Sequence, residues 1–296
     1  MVVKNNFFTS LLFITTLSPA FTNSAQATQL YYEGFDYPAV SNGTALTGLN
    51  SGTGWGAGWV TPSAGNFDAY VSPGLSYSTV PVVGGMAQNT VNTGTQTRLL
   101  AAAYGTVTFT DPVTPTDYWF STIIQKVNNA NAGDYRYLAL ADSASNHILF
   151  ETGFGFQISG TSLTARVPIT AAATSGSIAT SSSITLNNLS VHLVVGKITM
   201  ATGADSVTIW LDPALNVTPT TGGVTATGTV PTTTTYSKAL IRLGKSSTNG
   251  TQNLDEMRFG TSFLDVVSNV PVPEPASAVL LGLGGVMIAG VRTRRQ

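Results

Sequence analysis

Through the middle of the chain apolar side chains recur every second residue, and that period decides the fold class. In Ser190 to Thr199, Val191, Leu193 and Val195 share one face. In Ser206 to Leu211, Val207, Ile209 and Leu211 share one face, with Thr208 and Trp210 on the other. Successive side chains of a strand point to opposite sides of a sheet, so a half-buried strand alternates apolar with polar. Similar stretches run over Tyr118 to Val127, Tyr135 to Ala141, His147 to Ile158, Leu163 to Val167 and Lys238 to Leu243. Turn signals separate them: Asn131 to Asp134, Ser159-Gly160, Thr202 to Asp205 and Asp212-Pro213. No stretch between 28 and 270 carries the 3.6-residue period of a long amphipathic helix. Many short strands with regular turns predict an all-β sandwich or barrel.

The composition agrees. Charged residues make up 9% of the 296, far below the roughly 25% of an average soluble domain. Small polar residues and 30 glycines fill the difference, which suits strands and turns better than surface helices. Two Thr/Ser-rich stretches, Thr170 to Thr185 and Val217 to Tyr236, read as long loops or edge strands. The absence of cysteine excludes disulfides, thiolate metal sites and a Cys nucleophile. His147 and His192 alone cannot make a multi-histidine metal centre. A net charge of −1 offers no basic footprint for nucleic acid.

Both ends carry export signals. Lys4, the apolar run from Phe7 to Ile14, and Ala25-Gln26-Ala27 form the three regions of a signal peptide, with cleavage expected after Ala27. Near the other end, Ala276 to Val291 is sixteen residues without a charge. As a helix it would rise about 24 Å, enough for a thinned bilayer whose hydrocarbon core is ordinarily about 30 Å. Arg292, Arg294 and Arg295 follow. Arginines after an apolar segment stay cytoplasmic, which puts the body of the chain on the far side of the inner membrane. The expected organisation is a signal peptide (1–27), an ectodomain (28–267), a Pro-rich linker (268–275), one transmembrane helix (276–291) and a basic tail (292–296).

The linker ends in Pro273-Glu274-Pro275. That tripeptide, the glycine-containing apolar segment and the arginine cluster, in this order, resemble the sorting tail of the PEP-CTERM family. The resemblance implies an exosortase as processing partner, a Gram-negative host that makes extracellular polysaccharide, and a mature protein at the cell surface or in that matrix. The prolines keep the linker extended, within reach of a protease above the membrane. A plain membrane anchor with an uncleaved tail is the alternative. The ectodomain resembles the laminin-G/concanavalin-A-like jelly rolls found in many such proteins. The likeness rests on Tyr32 to Tyr37, the Gly52 to Trp59 loop, the strands around Leu193 to Lys197 and Val207 to Pro213, and Leu254 to Ser262.

Such sandwiches include glycosidases, whose two acids stand about 5 Å apart in retaining enzymes. On this fold they come from alternate residues of one strand, as Glu-x-Asp-x-Glu. That pattern is absent: Asp255 and Glu256 are adjacent and expected on opposite faces, as are Glu33 and Asp36. His147 and His192 have no nucleophile motif beside them. The expected function is therefore non-enzymatic, with carbohydrate or protein binding; a divergent polysaccharide hydrolase is the alternative. Three residues stand out as candidates. Strict alternation would turn Asp255 inward with Met257 and Phe259, there to be held by loop N–H groups or by Ca²⁺. It would also put Glu256 and Arg258 together on the outer face as a surface pair. Trp55 and Trp59 either stack on sugar rings or fold down as a lid on the core, whereas Trp119 and Trp210 are expected in the core.

Overall fold

A computed structural model describes residues 29–60, 68–89, 93–99, 107–108, 115–127, 135–142, 153–169, 178–187, 189–230, 235–244 and 251–268. The signal peptide with Ala25 and Ala27, His147, residues 269–275, the apolar segment and the three terminal arginines lie outside them. Among the described residues no helix is long and apolar enough to cross a membrane.

The chain runs through β1 (Gln29–Glu33), β2 (Asp68–Val71), β3 (Met86–Asn89), β4 (Thr93–Leu99), β5 (Val107–Thr108) and β6 (Thr116–Lys126). It continues through β7 (Tyr135–Asp142), β8 (Gly153–Ser159), β9 (Ser162–Pro168), β10 (Ile178–Thr180) and β11 (Ile184–Thr185). Last come β12 (Val191–Met200), β13 (Asp205–Leu211), β14 (Val224–Gly228), β15 (Thr235–Gly244), β16 (Gln252–Gly260) and a short helix, α1 (Phe263–Val267). These strands build two sheets. The first has the order β14-β13-β12-β6-β16-β3-β2, with β1 also paired to β16. The second has the order β10-β9-β8-β7-β15-β4, with β11 on β9 and β5 on β15. The two Thr/Ser-rich stretches supply β14 and β10, each at a sheet edge.

The sheets face each other across one apolar core. Phe120, Ile124, Val194 and Ile209 of the first meet Leu138, Phe154, Phe156 and Ile241 of the second. Phe120 and Phe156 stack with ring centroids 6.3 Å apart. Each fully buried side chain of this kind stabilises the fold by roughly 1.5–3 kcal/mol. Beneath Phe120 lies Gly196, where any Cβ would overlap the Phe120 ring.

A second apolar cluster covers part of the outer face of the first sheet. Trp119, Ile123, Leu193, Val195 and Trp210 are packed there beneath α1 and the 75–86 segment. Thus Val191, Leu193 and Val195 do share a face, but it is the outer one; Val194 and Ile198 face the inter-sheet core. A five-residue helix has too few internal hydrogen bonds to persist alone. α1 is held by a capping box in which the Ser262 N–H donates to Asp265 Oδ2 (2.7 Å) and the Asp265 N–H to Ser262 Oγ (3.3 Å).

β16 breaks the expected alternation. Its pairing with β6 shifts register between Asp255 and Arg258, and Glu256 sits at φ 52°. A β-bulge of this kind inserts one extra residue and reverses the parity beyond it. Leu254 therefore joins Met257 and Phe259 in the core. Asp255, opposite Ile123 of the outer cluster, turns outward instead of inward.

Candidate functional site

Asp255 and its neighbours lie under the 72–85 segment and are buried on the outer face. One Asp255 oxygen accepts the Leu75 N–H (2.8 Å) and the other the Glu256 N–H (2.7 Å). Loop and bulge N–H groups thus hold this carboxylate. Burial pushes its pKa well up, and the neighbouring Glu256 adds to that push. Glu256 and Arg258 do pair (2.8 Å), but their side chains are only 0% and 3% exposed, so the expected surface pair is a buried one. The bulge and the overlying segment enclose it. Glu256 Oε1 also accepts the Val83 N–H (2.8 Å) and the Tyr32 hydroxyl (3.3 Å), while Arg258 donates to the Pro81 carbonyl.

The remaining acid near this cluster, Glu33, is buried from β1. It accepts the Phe35 N–H (2.7 Å), the Ser51 hydroxyl (2.9 Å) and the Tyr37 hydroxyl (3.1 Å). These bonds fasten the following loop to the sandwich. Asp36 is exposed. Among the described residues no group of three or more His, Asp or Glu is placed to hold a metal ion.

The Gly/Trp loop closes over one region of the core. Its Thr53 exchanges backbone hydrogen bonds with Tyr32 (3.0 and 2.9 Å). Gly52, at φ 72°, comes so close to the Tyr32 carbonyl that no side chain fits. Trp59 is 1% exposed and stacks on Phe35 at 6.1 Å, with Nε1–H donating to the Tyr37 hydroxyl (3.1 Å). Trp55 is half-buried against Tyr31 (5.6 Å), and its Nε1–H donates to the Tyr32 carbonyl (2.7 Å). Trp59 therefore offers no face to a sugar ring, whereas Trp55 keeps part of its surface open.

His192 sits between Asp212 (Nδ1 to Oδ2, 2.7 Å) and the Asn187 carbonyl (Nε2 to O, 2.9 Å). With both ring nitrogens so engaged, it is poorly placed to activate a serine. Burial pushes the Asp212 carboxyl up, but hydrogen bonds from His192 and the Leu193 N–H outweigh that and hold it below its usual value.

A groove opens on the outer face of the first sheet, at the β13–β14 side. Register puts Trp119, Lys197, Thr208 and Thr225 in one row across β6, β12, β13 and β14. The 218–223 segment folds over this row and encloses about 440 Å³, a size in the range of small-molecule sites. Trp119 and Trp210 stack at 5.7 Å and 16°. Trp210 Nε1–H donates to the Thr221 carbonyl (3.1 Å), and Gly223 lies so near the indole that a Cβ would collide. The Lys197 ammonium stands 5.9 Å from the Trp119 ring and 3.3 Å from Asp117, which also accepts the Thr199 hydroxyl (2.6 Å). The Thr208 and Thr225 hydroxyls are 2.9 Å apart. An aromatic wall beside rotatable hydroxyls can hold a ligand with both apolar and hydroxylated faces. The sequence had already put Thr208 and Trp210 on one side of β13; that the Thr/Gly segment doubles back over them needed the fold.

No family model matches the chain, and no curated protein matches its sequence. Among solved structures it is similar to the binding domain of botulinum neurotoxin serotype C1 (TM-score 0.44, 9% identity, 76% of this chain and 50% of that one). It is similar to a structure reported for endo-acting O-glycanases of the human gut microbiota (TM-score 0.44, 9% identity, 79% and 100%). A third is lectin I-B4 from Griffonia simplicifolia (TM-score 0.34, 10% identity, 68% and 91%). The chain spans about half the length of the first structures it matches, 48% of the botulinum neurotoxin DC binding domain among them. Function rests on this chain's own residues.

Proposed function

We propose that this chain is an exported, non-enzymatic β-sandwich of the concanavalin A-like/laminin-G-like jelly-roll type. Its PEP-CTERM tail addresses it to the cell surface or exopolysaccharide matrix of a Gram-negative bacterium, where it binds carbohydrate or protein. The observation that carries this reading is the ordered tail: Pro273-Glu274-Pro275, the uncharged segment 276–291, then Arg292, Arg294 and Arg295. Before processing, the uncharged segment holds the chain in the inner membrane; an exosortase then separates body from tail. Binding is favoured over hydrolysis by the state of the acids. Glu33, Asp255 and Glu256 are buried, and their oxygens already accept hydrogen bonds from loop groups.

Cell fractionation of the full chain against a chain lacking residues 271–296 tests the address. The expected result is surface or matrix material for the first and a changed distribution for the second. An unchanged location after truncation would sink the sorting role. Mass spectrometry of the mature C-terminus separates sorting from plain anchoring, because a mature peptide spanning Ala276 to Arg292 means an uncleaved tail.

A further inference from the structure

We infer that the groove over Trp119, Lys197, Thr208 and Thr225 is a binding site for a neutral oligosaccharide. The inference deepens the binding half of the proposed function and is independent of the sorting half.

Charge decides the first question. Lys197 is the one charged side chain among the described residues that line the groove, and Asp117 sits 3.3 Å from its ammonium. The pair is close to neutral as seen by a ligand, so an anion gains little and a cation meets the ammonium first. Hydroxyls decide the second. Thr208 and Thr225 on the floor, and Thr218, Thr220 and Thr221 on the overhanging segment, place side-chain hydroxyls on both sides of the space. An apolar ligand would strip these of water and return no hydrogen bonds. A threonine hydroxyl both donates and accepts by rotating, which matches the hydroxyls of a sugar ring.

The aromatic wall supplies the remainder. Trp119 and Trp210 are 7% and 6% exposed, so they form a mostly covered apolar backing to the groove. Phe263 braces Trp119 edge-on at 5.6 Å, and the Thr221 carbonyl holds the Trp210 Nε1–H. Both indoles are thereby fixed, so the little apolar surface they leave open to the groove is available to a ligand without loss of conformational freedom on binding. Length decides between one ring and several. The row crosses four adjacent strands, about 14 Å at the ordinary strand spacing, which suits a short run of sugar units.

The test uses the full chain purified in detergent. It is titrated by calorimetry and tryptophan fluorescence with neutral hexasaccharides of glucose, mannose and galactose, and with hexagalacturonate. At least one neutral hexasaccharide is expected to bind with a Kd below about 1 mM, and about tenfold or more tighter than the acidic one. Thr225→Arg, at an exposed floor position, fills the groove and should weaken that binding about tenfold or more at unchanged Tm. Thr208→Val keeps the shape, removes one hydroxyl of the pair, and should weaken binding even if the arginine variant misfolds. The inference is overturned if no neutral hexasaccharide binds, if hexagalacturonate binds tighter, or if a folded groove variant binds as well as the parent. A tail truncation that leaves location unchanged would touch only the sorting reading.

Discussion

Asp68 lies on the core-facing side of β2, in line with Tyr70, and is 0% exposed. Neither of its oxygens has a hydrogen-bond partner among the described residues. Burial pushes its pKa well above the usual 3.8, and Arg242 nearby pulls only partly the other way. The unfolded chain releases this proton near 3.8 while the folded chain keeps it. Stability that is full below that pH is therefore lost as pH rises toward the raised folded value. Asp68→Asn removes the titration. It should raise stability at pH 8 and flatten the alkaline side of the Tm-against-pH curve. A variant with a lower Tm at pH 8 would contradict this. Arg258 is the opposite case. Arg258→Met leaves Glu256 buried without its cation and should destabilise by about 3–5 kcal/mol in urea unfolding. Adding Glu256→Gln should recover part of that loss, because the charge that lacked a partner is gone.

At the scale of elements, the strands with clean alternation were legible in the sequence. β6, β7, β9, β12, β13 and β15 fall within two or three residues of their expected spans, and β16, expected from the family resemblance, starts and ends two residues earlier than expected. β2, β3 and β4 were not foreseen: DAYV, MAQN and TGTQTRL are short or polar and carry little period-two signal. Pairing partners, not propensity, make them strands. The bulge in β16 was illegible for another reason. Nothing in Leu254-Asp255-Glu256-Met257 marks Glu256 as left-handed, and one such residue reversed the assignment of Asp255. α1 did leave a trace, since Ser262 followed three residues later by Asp265 has the spacing of a capping box. Of the site, the lid role of Trp59 was one of two open readings, while the groove required non-local pairing to see. The cap makes its own prediction. Ser262→Ala should lower stability by about 1 kcal/mol and speed amide exchange in α1 before the sheets are affected. Equal acceleration throughout both sheets would mean that α1 does not fray independently.

For the whole molecule, the decisive feature is the place of β16. The last described strand is not at an edge: it lies between β6 and β3 and also pairs with β1, the first described strand. The first sheet is therefore incomplete until residue 260 is available, and the core between the sheets is open until then. Antiparallel pairing of such distant segments must pay loop-closure entropy before its contacts form, so it comes late in folding. Under the export proposed above, this delay would keep a finished sandwich from forming before the C-terminal part of the chain is made. Two truncations separate this architecture from one built strand by strand. A chain ending at Thr251 should show no cooperative thermal transition, since it loses Leu254, Met257 and Phe259 from the core and three strand partners at once. A chain ending at Ser268 keeps every described element and should unfold within about 2 °C of the full chain. If the shorter chain unfolds cooperatively near the parental Tm, β16 is an accessory strand and the first sheet does not depend on it.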